Sequence, residues 1–216
     1  MKIFAAIALI ALLGASARAQ TPASSSSTSP VSASLPHDAH EGITVSADAY
    51  TVAARAKDKF GKANPLPVGI LPIEVFFTNS TNLPVKLDLS TIQLEVHPPT
   101  GSRQSLDWLE PVQVATSVAH PHGPPAPKTR RFPVGPSVAK DAKRDKLLEL
   151  LKPLALNSEI VPPMGGIHGF LFFDVSGNIP GPGEASLYIP DLSVVTTRAP
   201  LMFFEVALGA ATTPAQ

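Results

Sequence analysis

Six histidines and no cysteine set the chemistry open to this 216-residue chain. Without a thiol there is no Cys nucleophile, thiolate zinc site, iron–sulfur cluster or disulfide. The densest group of potential metal ligands is His37-Asp38-Ala39-His40. Two imidazoles and a carboxylate within four residues offer donors that suit Zn²⁺ or Cu²⁺. A site built on His37, Asp38 and His40 requires one more ligand from elsewhere and neighbours that orient the rings. The bland alternative is a polar linker end before the first strand. His120-Pro121-His122 is a second pair, set in a Pro-rich stretch. His168 could serve as a base only with an orienting carboxylate. Asp174 is roughly 20 Å away at ~3.3 Å per extended residue, so a partner must come from another strand. A His with a satisfied ring at a sheet end is the other reading. There is no Gly-x-Ser-x-Gly, Ser-x-x-Lys, His-Glu-x-x-His or phosphate-binding Gly loop. The sequence therefore points to no catalytic residues and no cofactor. Asn79-Ser80-Thr81 matches a glycosylation acceptor and reads as a hairpin turn.

The elements around these residues are mostly short strands. Ile43, Val45 and Ala47 alternate with polar residues, as in a strand with one buried face. Thr51 to Lys62 reads as a short helix or turn. Val68 to Thr78 and Ile167 to Val175 are apolar on both faces, apart from Glu74 in the first and His168 and Asp174 in the second. Both are expected to be central strands. Pro72 then needs an edge position or a bulge. Val85, Leu87 and Leu89 are out of phase with Ile92, Leu94 and Val96. One strand parity cannot bury both sets, so a bulge or a crossing between sheets is expected at 88–91. Pro98 to Leu109 is expected to be a loop, Val112 to Val118 a strand, and Ser158 to Val161 a short extended piece. Leu187 to Val195 and Leu201 to Leu208 complete the sheet. The one clear helix is expected over 137–152, capped by Ser137 and ended by Pro153, with Leu147, Leu150, Leu151 and Leu154 on one face.

The chain ends differ in character. Lys2, the uncharged apolar run Ile3 to Leu13 and Ala17-Arg18-Ala19 have the layout of a cleavable signal peptide over 1–19. Residues 20–40, rich in Ser, Thr and Pro, are expected to be a disordered linker. Residues 41–209 form the domain, with an insertion at 120–157, and 210–216 a flexible tail. Between His120 and Lys152 eight basic residues face three acidic ones, against a mature chain near −2. Lys143, Arg144 and Lys146 lie away from the leucine stripe and are a candidate surface for an anionic partner. The alternative is a basic segment lying against its own acidic domain.

Three segments carry a resemblance: Gly69–Asn79 (GILPIEVFFTN), Pro162–Val175 (PPMGGIHGFLFFDV) and Leu201–Leu208 (LMFFEVAL). They resemble uncharacterised bacterial exported proteins with a single immunoglobulin-like (telokin-like) domain. There, a strand ending in Thr-Asn precedes a polar turn and "P-V-x-L", and a Pro-rich turn ending in Gly starts a "G-x-L-x-F-x-V" strand. Asn79, Pro84-Val85, Gly169, Leu171, Phe173 and Val175 take those places. The resemblance implies an all-β, immunoglobulin-like β-sandwich, here with an inserted Pro-rich loop and a short α-helix, and no catalytic residues. The expected function is a non-enzymatic binding or assembly module, secreted or periplasmic, contacting an envelope protein or an anionic surface and not nucleic acid. The alternative is an exported metal-dependent enzyme using its histidines.

Overall fold

The computed structural model describes residues 35–123 and 141–209. The expected signal peptide at 1–19, the expected linker as far as residue 34, the Pro-rich stretch 124–136, Ser137 and the expected tail 210–216 lie outside the described residues. Most of the described elements are strands, in three antiparallel sheets, accompanied by three short α-helices.

The longest ladder joins β3 (Ile70–Asn79) to β8 (Gly165–Asp174), ten residues paired with ten. Side chains alternate faces along each strand. Leu71, Ile73, Val75 and Phe77 therefore share one face with Phe173, Leu171, Gly169 and Ile167. Pro72, Glu74 and Phe76 share the other with Phe172, Phe170 and His168. Phe170 to Phe173 are all almost fully buried, so β8 is covered on both sides, as its apolar sequence requires. The second cover is α1 (Ala53–Phe60), which buries Ala56 and Phe60 at i, i+4 spacing. The Phe60 ring lies 4.8 Å from Phe170 and 6.1 Å from Phe172, edge to face. The chain after α3 (Ala142–Leu151) returns alongside β8: Phe170 N–H donates to the Leu154 carbonyl and Leu156 N–H to that of Phe170. A Cβ at Gly169 would stand 2.6 Å from the Leu156 backbone, so this close approach needs a glycine.

β2 (Ile43–Ala49) pairs with the other edge of β3, and its ladder stops at Ala49↔Ile73. The Pro72 carbonyl accepts from Tyr50 N–H on that same side. The missing Pro72 N–H thus faces the point where β2 has run out, and the ladder to β8 loses no bond. Pro72 is in an edge position locally although β3 is central.

The phase change is a sheet crossing. β4 (Val85–Leu87) lies in a small sheet between β10 (Leu192–Val194) and β7 (Ile160–Val161), while β5 (Gln93–Val96) lies between β9 (Ala185–Ile189) and β6 (Gln104–Asp107) in the third sheet. A 3₁₀ turn at Leu89–Thr91, whose Asp88 side chain accepts from Ser90 N–H, joins them. The returning strand crosses at the same place, at Pro190-Asp191, and Asp88 N–H donates to the Asp191 carbonyl across the two bends. Val85, Leu87 and Leu89, and then Ile92 and Leu94, are buried in one continuous core. One edge of the third sheet is β11 (Phe204–Ala207), and the other is β6.

Four expectations are corrected. His37–His40, assigned to the linker, is strand β1, paired with β2; the Pro36 carbonyl also takes Ala47 N–H. The loop expected over 98–109 contains β6, and Trp108 bridges to Phe173. Val112–Val118 is not a strand but part of α2 (Pro111–Ala119), because Glu110 and Gln113 form a capping box and Pro111 opens the first turn. These outweigh the β-branched valines. Within α3, capped by Asp141, the buried face is Leu147 and Leu151, with Leu148 and Leu154 against the core, while Leu150 is 48% exposed.

Phe172→Ala and Phe173→Ala are each expected to cost about 3–5 kcal/mol and Leu151→Ala about 2–5 kcal/mol. Leu150→Ala is expected to stay within about 0.5 kcal/mol. Urea unfolding of the four variants checks the assignment.

Candidate functional site

Edge strands expose unpaired backbone groups unless something covers them. β11 is covered by side chains of β1 and of the residue that follows it. Asp38 Oδ2 accepts Glu205 N–H at 3.0 Å, Glu41 Oε2 accepts Met202 N–H at 2.7 Å, and His40 Nε2 donates to the Phe203 carbonyl at 3.0 Å. The His40 ring also stacks on Phe204 at 3.8 Å. This arrangement sets His37 apart from the other two expected metal ligands. Asp38 and His40 share one face of β1 and serve the β11 edge. His37, three residues from His40, points the opposite way and bonds to the Leu35 carbonyl. His37, Asp38 and His40 therefore do not converge on one ion.

A different group does converge. Odd-numbered residues of β11 and β5 point outward from the third sheet, because Phe204 and Val206, Ile92 and Leu94 point into the core. On that outer face ligand atoms of Glu95, His97 and Glu205 lie within 4.8 Å of one another. β9 runs between their strands. The residue it places there is Ser186, directly opposite Glu95 and Ala207. Its small side chain leaves room for both carboxylates to lean across, and its hydroxyl donates to Glu205 Oε1 at 2.8 Å. Glu95 Oε2 is withdrawn from solvent and has no well-formed hydrogen bond. Its counter-charge is the exposed Arg103 guanidinium, an ion pair without hydrogen-bond geometry. Glu-x-His in a strand was the available sequence signal, since positions i and i+2 share a face. Glu205, far along the chain, gave none.

The same face carries an exposed aromatic group. Phe203 is 48% exposed and rests against Tyr188 with ring centroids 5.6 Å apart, and Met202, which precedes it in the chain, is 59% exposed. Gln93, Ser105 and Asp107 form a hydrogen-bonded polar row beside them.

The basic trio is largely engaged within the chain. Lys143 Nζ donates at 2.7 Å to the Ala119 carbonyl, at the C-terminal end of α2. Arg144 pairs with Asp145, which pushes its guanidinium above the usual range. Lys146 alone of the three is exposed with no bonded partner among the described residues. His120 bonds to Asp141, and this contact, followed by Arg144 N–H, holds that carboxyl below its usual range.

His168, 67% exposed, stacks on Phe76 and lies 3.8 Å from Glu74 rather than meeting Asp174. Glu74 is buried, accepts from Tyr50 Oη at 2.9 Å and from Lys59 at 3.4 Å, and sits under α1. Arg55 covers the Tyr50 ring at 4.0 Å and grips Asp48 through both terminal guanidinium nitrogens. The group is a structural clasp between α1 and the first sheet.

Two surface clefts lie elsewhere on the described residues. One, of about 150 Å³, is lined by Pro36, Ala49, Leu71, Pro182 and Leu208; the other, of about 250 Å³, by Lys86, Asp88, Asp191 and Pro200. No helix among the described residues is long and apolar enough to cross a membrane. No family model, curated protein or solved structure matches the chain.

The clasp predicts a pH dependence. Burial, and then the hydrogen bond to Glu74, push the Tyr50 phenol up from 10.0 to about 12. The unfolded phenol ionises at the lower value, so the contribution of the neutral phenol is complete below pH 10 and is lost as pH rises to about 12. Tyr50→Phe is expected to flatten the loss of stability across that window, measured by urea unfolding at successive pH values. Equal slopes for the two proteins would contradict it.

Proposed function

We propose that this protein is an exported, immunoglobulin-like β-sandwich module of a bacterial cell envelope, and that it binds an envelope protein through the outer face of the β11–β9–β5–β6 sheet. The signal-peptide layout and the three resembling segments support the setting. The sharing of one core by all three sheets supports the sandwich.

The observation that carries the binding reading is the exposure of Phe203, with Tyr188 beside it, on an otherwise polar sheet face, next in the chain to the exposed Met202. Aromatic and Met side chains are enriched in the cores of protein interfaces, and a polar rim is their usual surround. Leaving them in water has no compensation within the chain itself. The register of β11 forces Phe203 outward, because Phe204 is committed to the core.

The basic surface Lys143, Arg144, Lys146 is the weaker contact. Two of its three charges already have partners in α2 and at Asp145, so little is left to meet an anionic surface.

Phe203→Glu is expected to fold and to reduce capture of the partner from envelope extract at least tenfold, while Lys143→Glu with Arg144→Glu retains it. The loss corresponds to about 1.4 kcal/mol or more, the scale of an interface anchor. Equal capture by Phe203→Glu and wild type would sink the assignment of this face.

A further inference from the structure

We propose that Glu95, His97 and Glu205 bind a divalent transition-metal ion, with Zn²⁺ as the best-fitting candidate, on the outer face of the third sheet. This goes beyond the partner-binding reading and does not depend on it.

Three features of the face carry the inference. The first is convergence. Glu95 and Glu205 stand on strands separated by β9, and neighbouring strands are about 4.8 Å apart, yet their ligand atoms come within 4.8 Å of each other and of His97. Two carboxylates on such a face would relieve their repulsion by turning to solvent. Here they lean together over Ser186. The second is preparation. Glu205 is held through its side chain by Ser186 and through its backbone N–H by Asp38, the kind of support that fixes a metal ligand. The third is burial. Glu95 Oε2 is cut off from solvent, takes its counter-charge from the exposed Arg103, and lies 3.9 Å from His97 Nε2.

The donor set selects the ion. One imidazole and two carboxylates form a mixed nitrogen–oxygen set, which suits Zn²⁺ with a fourth position left for water. Ca²⁺ and Mg²⁺ prefer all-oxygen shells of higher coordination number. Arg103 stands in the place of the ion. Its guanidinium supplies one positive charge to Glu95 from an exposed position just before β6 and can swing away. A metal and Arg103 therefore compete for the same carboxylate. The bound ion would tie β5 to β11 across β9 and stiffen the sheet edge.

The test is calorimetric titration of ZnCl₂ into chelator-treated protein. One Zn²⁺ per chain is expected, with affinity lowered at least tenfold in His97→Ala and in Glu205→Gln, and unchanged in His37→Ala. Arg103→Ala is expected to bind more tightly, because the competing cation is gone. Zn²⁺ should raise the melting temperature of wild type and of Arg103→Ala but not of His97→Ala, a change at a side chain that is 37% exposed. The proposal is overturned if wild type shows no saturable 1:1 binding. It is equally overturned if His97→Ala and Glu205→Gln bind as wild type does, or if Arg103→Ala binds more weakly. Failure here leaves the Phe203 capture experiment unaffected, since that assay needs no metal.

Discussion

The ladder between β3 and β8 is the interaction on which the rest of the molecule depends. A chain without cysteine has no covalent staple, so burial must hold it. Ten paired residues with apolar side chains on both faces supply that burial only if both faces are covered. Three separate pieces of chain are drawn to β8 for this reason. Phe60 of α1 packs on Phe170 and Phe172, the segment 154–156 runs along the strand edge, and Trp108 bridges to Phe173. The helices are short and would be marginal in water by themselves. Their presence follows from the surface they cover.

This division of labour leaves the two large sheets with different outer faces. The outside of the first sheet is closed by α1, and its one buried carboxylate, Glu74, is satisfied by Tyr50 and Lys59. The outside of the third sheet is open. Its edge strand is secured by three side chains, Asp38, His40 and Glu41, in place of a neighbouring strand. Covering the edge in this way blocks sheet-to-sheet pairing and leaves Phe203 and Glu205 exposed beside it, with His97 partly exposed and Glu95 largely covered. The binding face and the proposed ion site occupy the one sheet surface that the core does not need.

Much of this was legible because strand parity is a strict rule. The apolar runs of β3 and β8 announced central strands, and the clash of parity between Leu89 and Ile92 located the crossing between sheets. Pro72 announced an edge, and the end of β2 provides one. What failed did so for identifiable reasons. His37 to His40 looked like linker because most of its side chains are polar, yet those of Asp38 and His40 bond the backbone of β11 and of the residue before it. The valines of α2 hid a helix whose signal was at its cap, Glu110 and Gln113. Leu150 fits a helical stripe as well as Leu148 does, and only the position of α2 and the core decides between them. The Glu95, His97 and Glu205 group required knowing that β11 and β5 flank β9, which no local pattern encodes.

Native-state hydrogen exchange on the purified protein tests the account most directly, because it ranks the opening free energy of each strand. Amides of β3 and β8 are expected to exchange only through global unfolding. Those of β11 are expected to open at lower cost, with Glu205 and Met202 exchanging faster once Asp38→Ala and Glu41→Ala remove their acceptors. If β3 and β8 exchange as readily as β11, the ladder is not the foundation of the fold. If Glu205 N–H is indifferent to Asp38→Ala, β1 does not hold the edge that presents the site.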